Sequence, residues 1–274
     1  MNGMRTREFD VGEFTRTARG SLRDELDLTS FGAAPLAPEA VVVLGALGDL
    51  EGATMAHLRN VLVTPTHKDA RVTAFLVTWA FEKFWIADAL GAIVDANAGG
   101  SSASSGVADA PATRRGTRHA RGPVRRALAG FVQGEPIVGA HTMAGLVDDW
   151  ALQDVYERLS SDAADGGALT AVIETILAVK ARHTAFFEEE SRRRLAASPS
   201  AARLARRELR RSPWPLGAAA IDPVRLRALA RFAWSGAAGA ERLSSLERRI
   251  AELPGIGASA ASAVRASLAR DAAD

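Results

Sequence analysis

Apolar residues in this chain recur at helical spacing, and no stretch alternates with the two-residue period of a half-buried strand. A short amphipathic helix is predicted from about Val11 to Leu26, and the segment from Leu28 to Pro38 reads as a loop with proline near a helix start. Four long helices follow. The first runs from about Pro38 to Val63 with Leu44, Leu47, Met55, Leu58 and Leu62 on one stripe, and Glu51 falls on that stripe. The second covers about Ala70 to Asn97. The third covers about Ile137 to Ser160, with Val147, Trp150 and Val155 as core candidates, and Asp149 and Tyr156 on a shared face. The fourth covers about Ala168 to Leu195, and its stripe reads Ile173, Ile176 or Leu177, Lys180, His183 or Thr184, and Phe187.

Shorter helices come after Leu195. Glu188, Glu189 and Glu190, each four residues before an arginine, suggest a solvent-facing row of pairs. Asp222-Pro223 supplies an N-cap and first helical residue, and Gly236 reads as that helix's end. Between the second and third long helices, Ala98 to Gly106 has the Gly/Ser composition of a flexible linker, and Arg114 to Arg126 is a basic run. The expected organisation is an all-α bundle over residues 1–217, with a linker over about 98–124, and a helical C-terminal extension over 218–274.

Composition narrows the chemistry. The 274 residues include no cysteine, which excludes disulfides, thiolate metal sites and cysteine nucleophiles and suggests the cytoplasm. The N-terminus is charged and lacks the apolar core of a signal peptide. The net charge of +2 gives no general attraction to nucleic acid, which leaves only a local patch to provide one. The apolar run from Val72 to Val94 has the length of a membrane span, but Glu82, Lys83 and Asp88 interrupt it, so no span is expected.

Lysine is the unusual residue. Only three of the 34 basic residues are lysine, and Lys83 and Lys180 lie inside the most apolar helical stretches. A charged group on an apolar face needs a partner, or it shifts its pKa and goes neutral. Each long helix also places an ionisable group on or near its stripe: Glu51; Glu82 and Lys83; Asp149 with Asp148 beside it; Lys180 and His183. One such group per helix suggests that they meet. Bundles that hold two metals use a Glu from each of two helices and a Glu-x-x-His from each of the other two.

Trp79-Ala-Phe-Glu-Lys-Phe-Trp-Ile-Ala-Asp-Ala-Leu90, His141 to Asp149 continuing to Tyr156, Val179-Lys-Ala-Arg-His-Thr-Ala-Phe-Phe187, and Arg207 to Gly217 with Trp214-Pro-Leu-Gly together resemble an actinobacterial branch of the ferritin-like superfamily. These are carboxylate di-iron proteins related to acyl-carrier-protein desaturases. The resemblance implies a ferritin-like four-helix bundle with one long crossover. On it, Lys83 and Ile86 stand where the second helix would carry its Glu and His, and Lys180 replaces the fourth-helix Glu beside His183. Asp149 replaces the third-helix Glu, and Glu51 is kept; a register shifted by one would make Glu82 the retained acid, with Trp85 as its partner. Trp79, Trp85 and Tyr156 would line the cavity.

Protonated lysine cannot ligate a metal and repels cations, so no cofactor is expected. The leading expectation is a protein without a di-iron centre that binds a small apolar molecule, an acyl chain or a partner in the former cavity, or acts structurally, with a homodimer among its states. The alternative is an enzyme, derived from an oxidoreductase. It would use Lys180 and His183 with Asp149 and Glu51 for acid–base or covalent chemistry, or keep one iron on Glu51, Asp149 and His183. A lesser alternative is nucleic-acid contact through Glu252-Leu-Pro-Gly-Ile-Gly257, a sequence that resembles the turn of a helix-hairpin-helix, with Ser245 to Glu252 as its first helix.

Overall fold

The computed structural model describes residues 8–98, 134–163 and 167–272, and every regular element among them is helical. The expected linker beyond Ala98 and the basic run from Arg114 to Arg126 lie outside the described residues. The α-helices are α1 (Val11–Arg16), α2 (Leu28–Ala33), α3 (Pro38–Gly52), α4 (Thr54–Leu62), α5 (Ala70–Asn97), α6 (Pro136–Asp162), α7 (Ala168–Ala197), α8 (Pro199–Arg211), α9 (Pro223–Trp234), α10 (Gly236–Ala251) and α11 (Ala258–Arg270). Their starts follow local chemistry. Asp69 caps α5 by accepting from the Val72 amide, and Asp222 caps α9 with Pro223 in first place.

Two antiparallel pairs frame the interior. Along α3 and α5, Leu36 meets Asn97, Gly48 meets Leu90 and Glu51 meets Lys83. Along α6 and α7, Gly139 meets Arg194, Gly145 meets Phe187 and Asp149 meets Thr184. A Cβ at Gly145 would stand 2.6 Å from the Phe187 ring, so the close approach of α6 to α7 depends on glycine there. The α5 and α7 surfaces join the pairs: Phe75 stacks on Phe186 with centroids 3.7 Å apart, and Glu82 meets His183.

Several expectations are corrected. The first long helix breaks at Ala53, where the loop of Gly217 packs against Ala53 and Leu50, and this turn leaves Met55 exposed rather than on the Leu47 stripe. The N-terminal helix stops at Arg16, because the Arg182 guanidinium takes the Phe14 and Thr17 carbonyls that a longer helix would use. Leu28–Ala33 is a helix capped by Asp27, not a loop. The end of α9 falls where expected: Ser235 is its C-cap, and Gly236, at φ +68°, follows the cap and also opens α10. Glu190 does not face solvent. It is fully buried and bound by Arg193 at 2.6 Å and Arg194 at 2.7 Å, while Glu189 binds Arg71.

The hydrophobic core runs without a break across residue 217. It includes Leu229, Leu243, Ile250, Ile256, Val264 and Leu268 of the extension as well as the long helices. Arg249 lies over the Trp150 ring at 4.2 Å, and Arg158 lies over Phe232 at 4.4 Å, which tie the extension to α6. Among the described residues, one helical stretch, Pro38–Leu62, is long and apolar enough to cross a membrane, and 44% of its apolar window is buried inside the protein.

Candidate functional site

Helices α3, α5, α6 and α7 each send an ionisable side chain to one buried point. Glu51, Lys83, Asp148, Asp149 and Lys180 are all buried, and Tyr156 joins them. Lys180 Nζ donates to Asp149 Oδ1 at 2.6 Å and to Glu51 Oε1 at 3.2 Å. The Tyr156 hydroxyl donates to the same Glu51 oxygen at 3.0 Å. Lys83 Nζ pairs with Glu51 Oε2 at 2.9 Å, a contact of charge without hydrogen-bond alignment, and lies 3.7 Å from Asp148 Oδ2. Glu51 therefore bridges both ammonium groups. The second oxygen of Asp149 accepts from Thr184 at 2.7 Å, and Gln153 in turn donates to Thr184.

The electrostatics follow from this arrangement. Burial alone would raise the Glu51 carboxyl, but Lys180 and Lys83 outweigh it and hold Glu51 at about 2. Burial alone would lower Lys180, but Asp149 and Glu51 outweigh it and hold the ammonium above its ordinary range. Asp148 has weaker support. Burial pushes it up to about 6, against the opposing pull of Lys83 and of the Leu216 amide that donates to it at 2.7 Å. Tyr156 is raised by burial and by the neighbouring Glu51 charge, so its hydroxyl stays a donor.

A second buried pair lies beside the first. His183 Nε2 bonds Glu82 Oε2 at 2.7 Å, and the other Glu82 oxygen accepts the backbone amide of Arg19 at 2.7 Å. Arg182 stands 3.5 Å from that oxygen. Phe14 and Phe75 present their ring systems edge to face with His183.

The sequence-predicted residues thus divide into two groups. Glu51, Lys83, Asp149, Lys180 and Tyr156 meet, and Glu82 and His183 form their own pair. Ile86 is buried among apolar residues. Trp79 lies under Lys83, whose Nζ is 5.0 Å from its ring. Trp85 is on another side of α5, against the exposed Phe81 and Phe84 rings, and does not line the cluster. Sequence reasoning places Asp148 only as a neighbour of Asp149, places Thr184 on the inward stripe without a partner, and gives no role to Gln153. A signal for Asp148 does exist: two adjacent acids inside the otherwise apolar run from Met143 to Leu152.

These side chains do not fit a two-metal centre. Lys83 and Lys180 place two ammonium groups among the acids, both paired to Glu51, and Ile86 has no donor atom. Glu51, Asp149 and His183 do not form one ligand set, because His183 turns to Glu82. Among the described residues, no three His, Asp or Glu side chains converge as a metal site would require. A cavity of about 10 Å³ opens beside the cluster, lined by His57, Trp79, Asp148 and Leu216 among others, with room for about one water. No family model, curated protein or solved structure matches the chain.

Proposed function

We propose that this chain is a ferritin-like four-helix bundle in which two lysines take over the charge of a lost metal pair, and that it works as a metal-independent structural or partner-binding protein. The observation that carries this reading is the bridging of Glu51 by Lys83 and Lys180 at 2.9 and 3.2 Å. Buried carboxylates need cations, and here the protein supplies them. The succession α3, α5, α6, α7, with antiparallel neighbours and residues 98–135 separating α5 from α6 in sequence, supports the ferritin-like part.

The other arms of the expectation have less support. An acyl chain or small apolar molecule at this centre would have to displace paired charges, and the adjoining cavity accommodates about one water. Covalent chemistry at Lys180 needs a neutral amine, whereas its partners hold it protonated. The test is metal analysis of protein purified from iron-supplemented cells. The expected result is well under one equivalent of any transition metal. A stoichiometric metal that Glu51→Gln removes would overturn the reading.

A further inference from the structure

Far from the buried cluster, α8 carries Arg203, Arg206, Arg207, Arg210 and Arg211 and a single acid, Glu208, which is half-buried and accepts from the Ser212 hydroxyl. Among the described residues, none of the five arginines forms an ion pair with a carboxylate. This contrasts with the preceding helix, where Arg192, Arg193 and Arg194 are all paired to acids. Arg203, Arg207, Arg210 and Arg211 are exposed, and their spacing puts them along one side of the helix over roughly 12 Å.

The turn between α10 and α11 is fixed beside this row. Arg206 binds the Gly255 carbonyl, and Arg210 donates to the Ser259 hydroxyl at 3.2 Å. Gly255, at φ +70°, lies so close to α8 that a Cβ would stand 2.8 Å from Ala202. Gly257, at φ +75°, faces open space, and no side chain caps the α11 amides that follow it. An uncompensated arginine row and a set of free main-chain donors therefore share one exposed surface.

We propose that this surface, α8 with the α11 N-terminus, binds the phosphate backbone of duplex DNA without reading its sequence. Duplex DNA presents one charge per about 1.7 Å of its axis, so a row of this length meets several phosphates at once. Arginine forks and main-chain amides are the groups that hold phosphate oxygens. The proposal uses none of the residues of the buried cluster and stands or falls apart from the structural role given above.

The experiment is fluorescence anisotropy of a labelled mixed-sequence 20-base-pair duplex with the full chain, over a series of KCl concentrations. Wild type is expected to bind with a steep salt dependence. Arg203→Ala/Arg207→Ala/Arg211→Ala is expected to weaken binding more than tenfold and to lower the salt slope by about 2–3, since each phosphate that is no longer neutralised takes away about 0.9. Ser259→Asp adds a carboxylate to the first turn of α11, which favours that helix, yet it should also weaken binding by repelling phosphate. Arg59→Ala, on α4, should bind as wild type does. No binding at low salt, or binding that the triple variant and Ser259→Asp leave unchanged, overturns the proposal. So does binding to phosphatidylserine vesicles that excess duplex fails to displace.

Discussion

Lys180 Nζ sits 2.6 Å from Asp149 Oδ1, and both groups are buried. Removing one member of such a pair strands the other. Lys180→Met is therefore expected to destabilise the fold by about 3–5 kcal/mol, measured by urea unfolding. Lys180→Met with Asp149→Asn should recover part of that loss, and a double-mutant cycle reads their coupling. Additive effects would mean that the two charges do not depend on each other.

Donor groups placed at the lysine positions test the proposed descent from a metal-binding bundle. Lys83→Glu, Lys180→Glu and Ile86→His, made together, place two carboxylates and an imidazole around Glu51 and Asp149. Metal analysis of the triple variant should show bound iron or manganese where wild type shows almost none. A variant that folds and stays metal-free would mean that the backbone geometry does not suit a metal pair.

Asp148 predicts a pH effect of definite sign. Its folded value of about 6 lies above the ordinary aspartate value of 3.8, so the folded state holds the proton more tightly. Its contribution to stability is complete below the unfolded value and is lost as pH rises through about 6. Asp154, raised to about 7 chiefly by burial, acts in the same direction, while His57, lowered to about 4, acts in the opposite one. Comparing wild type with Asp148→Asn isolates the single group. The stability of wild type relative to Asp148→Asn should fall by on the order of 2–3 kcal/mol from pH 4 to pH 7, and a flat difference would refute the assignment.

Tyr156 is the chain's only tyrosine, so phenolate absorbance reports on it alone. Burial and the neighbouring Glu51 raise its ionisation well above the ordinary range. Phenolate absorbance should be absent from the folded protein at alkaline pH and appear only on unfolding. Ionisation near pH 10 without unfolding would place the hydroxyl in solvent.

Gly145→Ala forces a methyl group into the Phe187 ring. It should cost about 1–3 kcal/mol, and Phe187→Leu should relieve part of the strain in the double variant. Thermal or urea unfolding of the three variants checks this.

Local pattern makes much of this architecture legible. The expected Ala70 to Asn97 is α5 residue for residue, and Ala168 to Leu195 falls two residues short of α7, because long apolar segments without strand alternation carry that information. The buried lysines are visible as charges inside apolar runs. What local pattern does not carry is partnership. That His183 turns to Glu82, that Glu190 is buried with Arg71 3.8 Å away, and that the Gly217 loop packs where the first long helix breaks all depend on contacts between residues far apart in sequence. The register of the second helix leaves Glu82 and Lys83 as competing inward residues, and the structure buries both, each with its own partner.

The central cluster draws one charge or more from each of four helices, over a span of chain from Glu51 to Lys180. A partial assembly that buries α6 without α7 leaves the Asp149 carboxylate without its counter-ion, a penalty of several kcal/mol. Glu51 lacks Lys180 until α7 docks, and Asp149 lacks it too. The ion cluster is therefore an assembly checkpoint. It gives three-helix intermediates little stability of their own and ties closure of the bundle to a single concerted event.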